Sequence, residues 1–334
     1  MAFALSALLA WAAIAYAHRR GMLDQPGFRR SHHAPTPRGG GIGLVAGTLL
    51  AATMALGAWP GGGNPWVVAA WGIAAAAVAA IGWIDDHRAL SVLPRLLTQL
   101  LAATVFAVAV IHVRHMAWAW LPLWVLLAAW SINLHNFMDG IDAILGLQLV
   151  YFGVGLGALA LYESQVAVAV AAFGLAAAAS GFLLFNWPPA RIFMGDVGSG
   201  FAGFAVFSLV VLLCVRVRLA LWPALLLCSA FVADAGCTLI WRMICGKQWY
   251  SAHREHLYQW LVRCGWTHAR TGMLYMLWNL LFAAPLALWA ACRPEIGPWL
   301  CLGLYIMAAL TWWRARGACL AKVRVKERGK GHVA

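Results

Sequence analysis

Asp196 stands between Gly195 and Gly198, with Ser199 beside it, in the stretch Asn186-Trp-Pro-Pro-Ala-Arg-Ile-Phe-Met-Gly-Asp-Val-Gly-Ser199. A carboxylate and a hydroxyl on a glycine turn can hold a hard cation, and exposed backbone N–H groups can hold phosphate oxygens. Pro188 and Pro189 forbid a continuous helix through the stretch. The chemistry these residues imply is a Mg²⁺–diphosphate site where an apolar run meets water. Phe193, three residues before Asp196, could stack on a nucleobase or anchor the turn in the membrane interface.

Four other polar stretches carry residues of the same kind. The first, from Asp24 to Gly41, holds His32, Thr36 and Arg38 ahead of three glycines. Arg38 can fork to a phosphate, the glycines let backbone approach it, and His32 and Thr36 add donors. The second places Asp85 beside Asp86, with Arg95 and Gln99 following. Two adjacent carboxylates raise one carboxyl's pKa unless a cation or arginine offsets them, which suits a metal ligand or a general base. In the third, Asn133, Asn136 and Asp139 recur every third residue and read as one side of a helical turn. Such a face could hydrogen-bond a sugar, a base or a hydrated cation; capping of the helix end is the bland reading. The fifth stretch, after that of Asp196, is Ser251-Ala-His253-Arg254-Glu255-His256-Leu-Tyr258-Gln259. His253 and His256 could bind zinc, but a third ligand at a familiar spacing is missing from the sequence. Groups closing over a phosphate or sugar are the reading preferred here. Asp234, in the inner half of an apolar run, faces the bundle or a cavity by cost alone.

The elements that must carry these residues are membrane helices. Of 334 residues, 63% are hydrophobic and only 10% charged, the composition of a polytopic membrane protein. The formal charge of +13 does not point to nucleic acid, because the basic residues lie between and after apolar runs. The eight cysteines form no C-x-x-C pair and read as buried thiols. Eleven spans are expected, at roughly 2–17, 41–59, 66–84, 96–113, 117–132, 143–162, 166–185, 199–215, 219–240, 271–291 and 298–313. The first, without a basic segment ahead of it, reads as a retained span. With the N-terminus outside and the C-terminus inside, only Arg114, Arg216, Arg218 and Arg293 of the 24 Lys and Arg fall outside. Asp85, Asp86, Asp139, Asp142 and Asp196 then all sit at inside helix ends. The fold class expected is an all-α, polytopic membrane helical bundle.

The five stretches, in this order, resemble the polyprenyl-phosphate N-acetylhexosamine-1-phosphate transferase family (glycosyltransferase family 4). That family includes the initiating transferases of O-antigen, enterobacterial common antigen and teichoic acid linkage units, and the translocase making lipid I. The resemblance implies a helical bundle of ten or eleven spans with a cytoplasmic active site in a bacterial inner membrane. It implies a membrane transferase domain over 1–313, catalytic loops at 18–40, 85–95, 133–142, 186–198 and 241–270, and a basic tail at 314–334. It implies transfer of a sugar-1-phosphate from a UDP-N-acetylhexosamine to undecaprenyl phosphate, release of UMP, and Mg²⁺ as cofactor with Mn²⁺ as a substitute.

Carried across, Asp196 resembles the principal Mg²⁺ ligand, with Asp85 and Asn136 as further candidates. Asp85 and Asp86 match the family's paired aspartates, one proposed to deprotonate the lipid phosphate. Asn136 and Asp139 match the polar helix of the nucleotide site, and Phe193 the aromatic near uracil. His253, Arg254 and His256 match a late histidine loop. Its form is similar to the O-antigen initiating subgroup that uses UDP-N-acetyl-fucosamine or UDP-N-acetyl-quinovosamine. Ala143 stands where the family often has glycine, and Arg95 replaces a common lysine. Membrane lipids are expected partners, a homodimer is allowed for, and nucleic acid is not expected. A transporter would want ionisable residues at mid-span and internal repeats, which this sequence lacks. A catalytically inactive relative that binds UDP-sugar or lipid phosphate is the other rival.

Overall fold

In lipid every backbone polar group must be satisfied within the chain, so long apolar runs become helices. The computed structural model describes residues 1–25, 35–58, 64–248 and 253–330. His32 and Ser251 lie outside the described residues. All eleven expected runs are helical. The first eight are α1 (Ala2–Arg20), α2 (Gly41–Ala58), α3 (Pro65–His87), α4 (Val92–Val113), α5 (Trp120–Met138), α6 (Ile144–Tyr162), α7 (Val166–Asn186) and α8 (Gly195–Cys214). The ninth run is two helices, α9 (Leu221–Leu227) and α10 (Ser229–Ile244), bent by 72° at Cys228. A short helix, α11 (Leu257–Arg263), precedes the tenth run, which is α12 (His268–Trp278), a π-helical turn at Asn279–Ala283 and α13 (Ala284–Cys292). The eleventh, α14 (Gly297–Lys330), continues without a break through the basic residues expected to form a tail. Nine of the described helical segments are long and apolar enough to cross a membrane, and the bent pair makes a tenth. The apolar part of α2, Gly41–Ala55, is shorter.

Local sequence sets the helix ends. Asn64 caps α3 by accepting the Trp66 N–H at 2.9 Å, with Pro65 in the first turn where its missing N–H costs nothing. Gly21, at φ 68°, closes α1 after His18, Arg19 and Arg20. The break at Cys228 is not an open wound in the apolar layer. Tyr305 Oη donates to the Leu225 carbonyl at 2.9 Å, Gln148 Nε2 reaches that of Leu227 at 3.4 Å, and Trp278 Nε1 donates to Ser229 Oγ at 3.2 Å.

The most enclosed helix is α8, with 83% of its apolar stretch buried. Small residues let its neighbours approach closely. A Cβ at Gly82 of α3 would collide with the carbonyl of Asp196, and one at Gly41 of α2 with the backbone of Gly198. The N-terminal end of this central helix therefore touches α2 and α3 backbone to backbone. The loops expected inside converge at that end. One is a two-stranded ribbon, β1 (Leu23–Asp24) antiparallel to β2 (Thr36–Pro37). Its continuation pairs with the segment before α8: Phe193 N–H donates to the Pro37 carbonyl at 2.8 Å, and Gly41 N–H to Met194 at 2.8 Å.

Gly82→Ala should force α3 and α8 apart, at a cost of about 1–3 kcal/mol. A lowered melting temperature of the detergent-purified protein, with activity lost more steeply than stability, is the expected result.

Candidate active site

Four acids and two guanidiniums meet at the converging loops. A cavity of about 270 Å³ is lined by Asp24, Arg38, Asn136, Asp139, Asp142, Asn186, Phe193, Asp196, Ser199, Arg254, Gln259 and His268, among others. The start of α8 supplies its floor, the end of α5 one wall, and the loops before α2 and α11 the others.

Asp196 lies in the first turn of α8. The sequence reading started that helix at 199; the structure starts it at Gly195, whose φ of 75° and whose contact with Asp86 both exclude a side chain. Asn136 Nδ2 donates to Asp196 Oδ1 at 2.9 Å and to Ser199 Oγ at 3.0 Å. Arg38 Nη2 stands 3.4 Å from Asp196 Oδ1, and Arg95 Nη1 stands 3.3 Å from Oδ2.

The paired aspartates divide. Asp86 is enclosed, with no side-chain exposure, and accepts Arg38 Nε at 2.7 Å. It also accepts the N–H groups of Asp196 at 2.9 Å and Val197 at 3.1 Å. It is the N-terminal cap of α8, supplied from another helix. Asp85 turns the other way. Its carboxylate accepts the Leu90 N–H at 2.6 Å and Arg95 Nη1 at 2.7 Å, and hydrogen-bonds the carboxyl of Asp196. Neither Asp85 nor Asp86 lines the cavity.

Of the asparagine face, Asn136 and Asp139 line the cavity, whereas Asn133 turns to Gln99 Oε1 (2.8 Å) and the Ala129 carbonyl. Burial raises the Asp139 carboxyl well above the ordinary range, and the charges of Asp196 and Asp86 push the same way. Burial works against the charge on Arg38, but Asp86, Asp196 and Asp85 outweigh it and hold the guanidinium above its ordinary value. Thr36 is buried in β2, and its strand partner Asp24 reaches the cavity instead. Phe193 and Arg254 line the wall.

His253 and His256 stand behind it, with ring centroids 4.9 Å apart and both rings beside Phe137. Burial brings His253 down to about 4, with His256 and Arg242 adding to the shift; burial also lowers His256. Of the two roles open to these rings, charge or hydrogen bonding, neutral pH leaves hydrogen bonding.

Sequence reasoning gave no role to His268 or Asn186. His268 Nδ1 lies 3.1 Å from Asp142 Oδ2, which also accepts the Ala190 N–H at 3.1 Å. Asn186 accepts the Ala143 N–H at 2.9 Å and donates to the Ile192 carbonyl at 2.9 Å, fixing both loops that flank the cavity. The Thr-His pair at the start of α12 was a readable helix start, since Thr267 caps it. Ala143, at φ 65°, sits in the left-handed region where glycine is at ease.

Among the described residues, no three His, Cys, Asp or Glu side chains are grouped to hold a metal ion. The oxygen set nevertheless fits Mg²⁺. Two carboxyls in contact, as Asp85 and Asp196 are, need a proton or a cation between them. Mg²⁺ typically takes one or two carboxylates and completes its shell with water and substrate phosphates rather than a protein cage.

An all-helical membrane bundle with a polar cavity of acids and guanidiniums at one end is the architecture of an integral-membrane enzyme acting on anionic substrates. Residues 68–214 match glycosyl transferase family 4. A Bacillus subtilis protein named as a probable undecaprenyl-phosphate N-acetylglucosaminyl 1-phosphate transferase is 28% identical over 79% of this chain and 76% of its own length. A Yersinia pestis undecaprenyl-phosphate alpha-N-acetylglucosaminyl 1-phosphate transferase is 26% identical over 90% and 85%. A Mycolicibacterium smegmatis decaprenyl-phosphate N-acetylglucosaminephosphotransferase is 29% identical over 78% and 73%. The family matched over residues 68–214 is the one that the five polar stretches resemble.

The histidine pair makes stability pH-dependent. His253 is depressed in the fold, so the unfolded chain takes up its proton first as pH falls from 6.5 towards about 4. Stability should be full above 6.5 and fall through that window. His253→Gln should flatten this part of the profile of melting temperature against pH, and an unchanged slope would refute the assignment.

Proposed function

We propose that this protein transfers an N-acetylhexosamine-1-phosphate from a UDP-sugar to a polyprenyl phosphate, undecaprenyl phosphate being the expected acceptor, and releases UMP. The observation that carries this reading is Asp196 on the cavity floor, held by Asn136 and flanked by Arg38 and Arg95. Joining a lipid phosphate to a diphosphate requires that negative charge be offset on both. Arg38 and Arg254 supply fixed positive charge at the cavity wall, and Arg95 does so beside Asp85.

Asp196, with Asp85, Asn136 and the Ser199 hydroxyl, would hold Mg²⁺, with Mn²⁺ as a substitute. When bound, the ion would neutralise the diphosphate and stabilise the departing UMP. Phe193 offers its ring to the nucleobase. Asp85 stands where α3 meets α4, whose Leu93, Leu97 and Leu101 are exposed on the apolar surface. A prenyl phosphate arriving from that side would meet Asp85 as proton acceptor. Direct attack on the β-phosphorus is preferred to an aspartyl-phosphate, because Asp86 lies off the cavity wall with its oxygens engaged by Arg38 and the α8 amides, and Asp85 is kept for the acceptor's proton.

The curated relatives support N-acetylglucosamine as the first sugar to test, and the form of the histidine loop supports N-acetyl-fucosamine and N-acetyl-quinovosamine as the next. The reaction would initiate O-antigen or a related polysaccharide. The distribution of basic residues supports a bacterial inner-membrane protein with this end facing the cytoplasm.

The deciding experiment is UMP release by purified protein with undecaprenyl phosphate and a panel of UDP-N-acetylhexosamines, with Mg²⁺ or with chelator. Release should need lipid and metal together. Asp196→Asn should lower kcat by at least about 10³-fold while the protein still inserts and folds. Normal turnover by that variant removes Asp196 from the site. A phosphorylated enzyme trapped with UDP-sugar alone would replace the direct route by the two-step one.

A further inference from the structure

Asp234 is deeply buried in α10, 3% exposed, and the chemistry above makes no use of it. A carboxylate at such depth must be matched by donors. It accepts the Leu257 N–H at 2.7 Å, the Tyr258 N–H at 3.3 Å, Tyr275 Oη at 2.6 Å and Trp312 Nε1 at 3.1 Å. Thr238 Oγ1, on its own helix, adds a bond at 3.3 Å. These donors come from α10, α11, α12 and α14, so one side chain ties four helices together.

The two amides are the informative ones. They open α11, and residues on either side of them, Arg254 and Gln259, line the cavity. Gln259 also closes the helix start by accepting the His256 N–H at 3.3 Å. Tyr258 reaches the opposite wall, where its hydroxyl donates to the Phe137 carbonyl at 2.8 Å, one residue beyond Asn136. The same ring fills the space that a side chain on Gly140 would need. Through α11, Asp234 is thus mechanically linked to both walls of the cavity, although it touches neither.

We infer that Asp234 is a positioning residue, which holds the start of α11 so that Arg254 and Gln259 face the donor substrate across from Asn136 and Asp139. This rests on the transferase reading. It sets the fit of the sugar nucleotide and not that of the lipid phosphate, because Asp85 and Arg95 lie off the cavity wall, with Arg95 at Asp196 Oδ2 and the cavity-lining Asn136 at Oδ1.

The test compares Asp234→Asn and Tyr275→Phe with the wild-type full chain, by steady-state UMP release and by hydrogen exchange of the peptide spanning 253–263. Asparagine keeps the size of the side chain but cannot accept from all its donors. Asp234→Asn should raise KM for the UDP-sugar about tenfold and leave KM for undecaprenyl phosphate within about twofold. Exchange at Leu257 and Tyr258 should quicken while α6 and α7 stay protected. Tyr275→Phe, which removes one hydroxyl, should shift both readouts the same way by less, and carries the test if the asparagine variant fails to fold. An equal rise in both KM values, or a lowered melting temperature with both unchanged, would reduce Asp234 to a structural anchor. Absence of UMP release by the wild-type protein would sink the proposed reaction instead. The anchoring would then be judged by exchange alone, and unaltered exchange in both variants would overturn it.

Discussion

A buried carboxylate at the head of the central helix fixes the rest of this active end. Asp86 has no exposed side-chain surface and takes three donors: Arg38 Nε and the N–H groups of Asp196 and Val197. The amides carry the partial positive charge of a helix N-terminus, so the bond pattern matches charge to charge. Because Asp86 belongs to α3, the cap also sets where α3 stands against α8. Because Arg38 belongs to the first polar loop, it sets where that loop lies. The same contact determines which way Asp196 points. Deleting any partner would leave an uncompensated charge in a closed space, a far larger penalty than the loss of a surface ion pair.

The parts of this arrangement that were legible in the sequence are those set by local chemistry. Apolar runs had to become helices, and the scarcity of acids made five aspartates at inside helix ends conspicuous. The parts that were not legible depend on distant partners. Asp85 and Asp86 are adjacent and chemically identical, yet one caps α8 and the other meets Arg95. The start of α8 was misplaced for the same reason, since its cap lies 110 residues away in sequence. Asn133 looked equivalent to Asn136, but three residues advance a helix by about 300°, so Asn133 and Asp139 lie about 120° apart. Asn133 accordingly faces α4 and bonds Gln99. The break at Cys228 has no proline or glycine to announce it; Gln148, Tyr305 and Trp278 sustain it from three other helices.

The late loop shows how support and contact separate. His253 and His256 were the conspicuous residues of that stretch, yet Arg254 and Gln259 reach the cavity while the two rings pack behind them near Phe137. Histidines held uncharged by burial suit a wall that must be stiff and dry better than one that must attract phosphate. The attraction falls to the guanidiniums, which keep their charge at any accessible pH.

Charge balance explains why the acids and guanidiniums are paired as they are. Asp24, Asp139, Asp142 and Asp196 line the cavity against Arg38 and Arg254, so acids outnumber guanidiniums there. Arg38 makes two unequal contacts. Its bond to Asp86 is short, 2.7 Å, and structural; its approach to Asp196 is longer, 3.4 Å. The second contact is the exchangeable one. A phosphate-bearing ligand would compete with Asp196 for the guanidinium's outer nitrogen without loosening the cap, because the Arg38–Asp86 bond uses Nε. The same arginine can therefore build the helix end and still answer to the ligand, which is how a buried structural ion pair and a working site share one side chain.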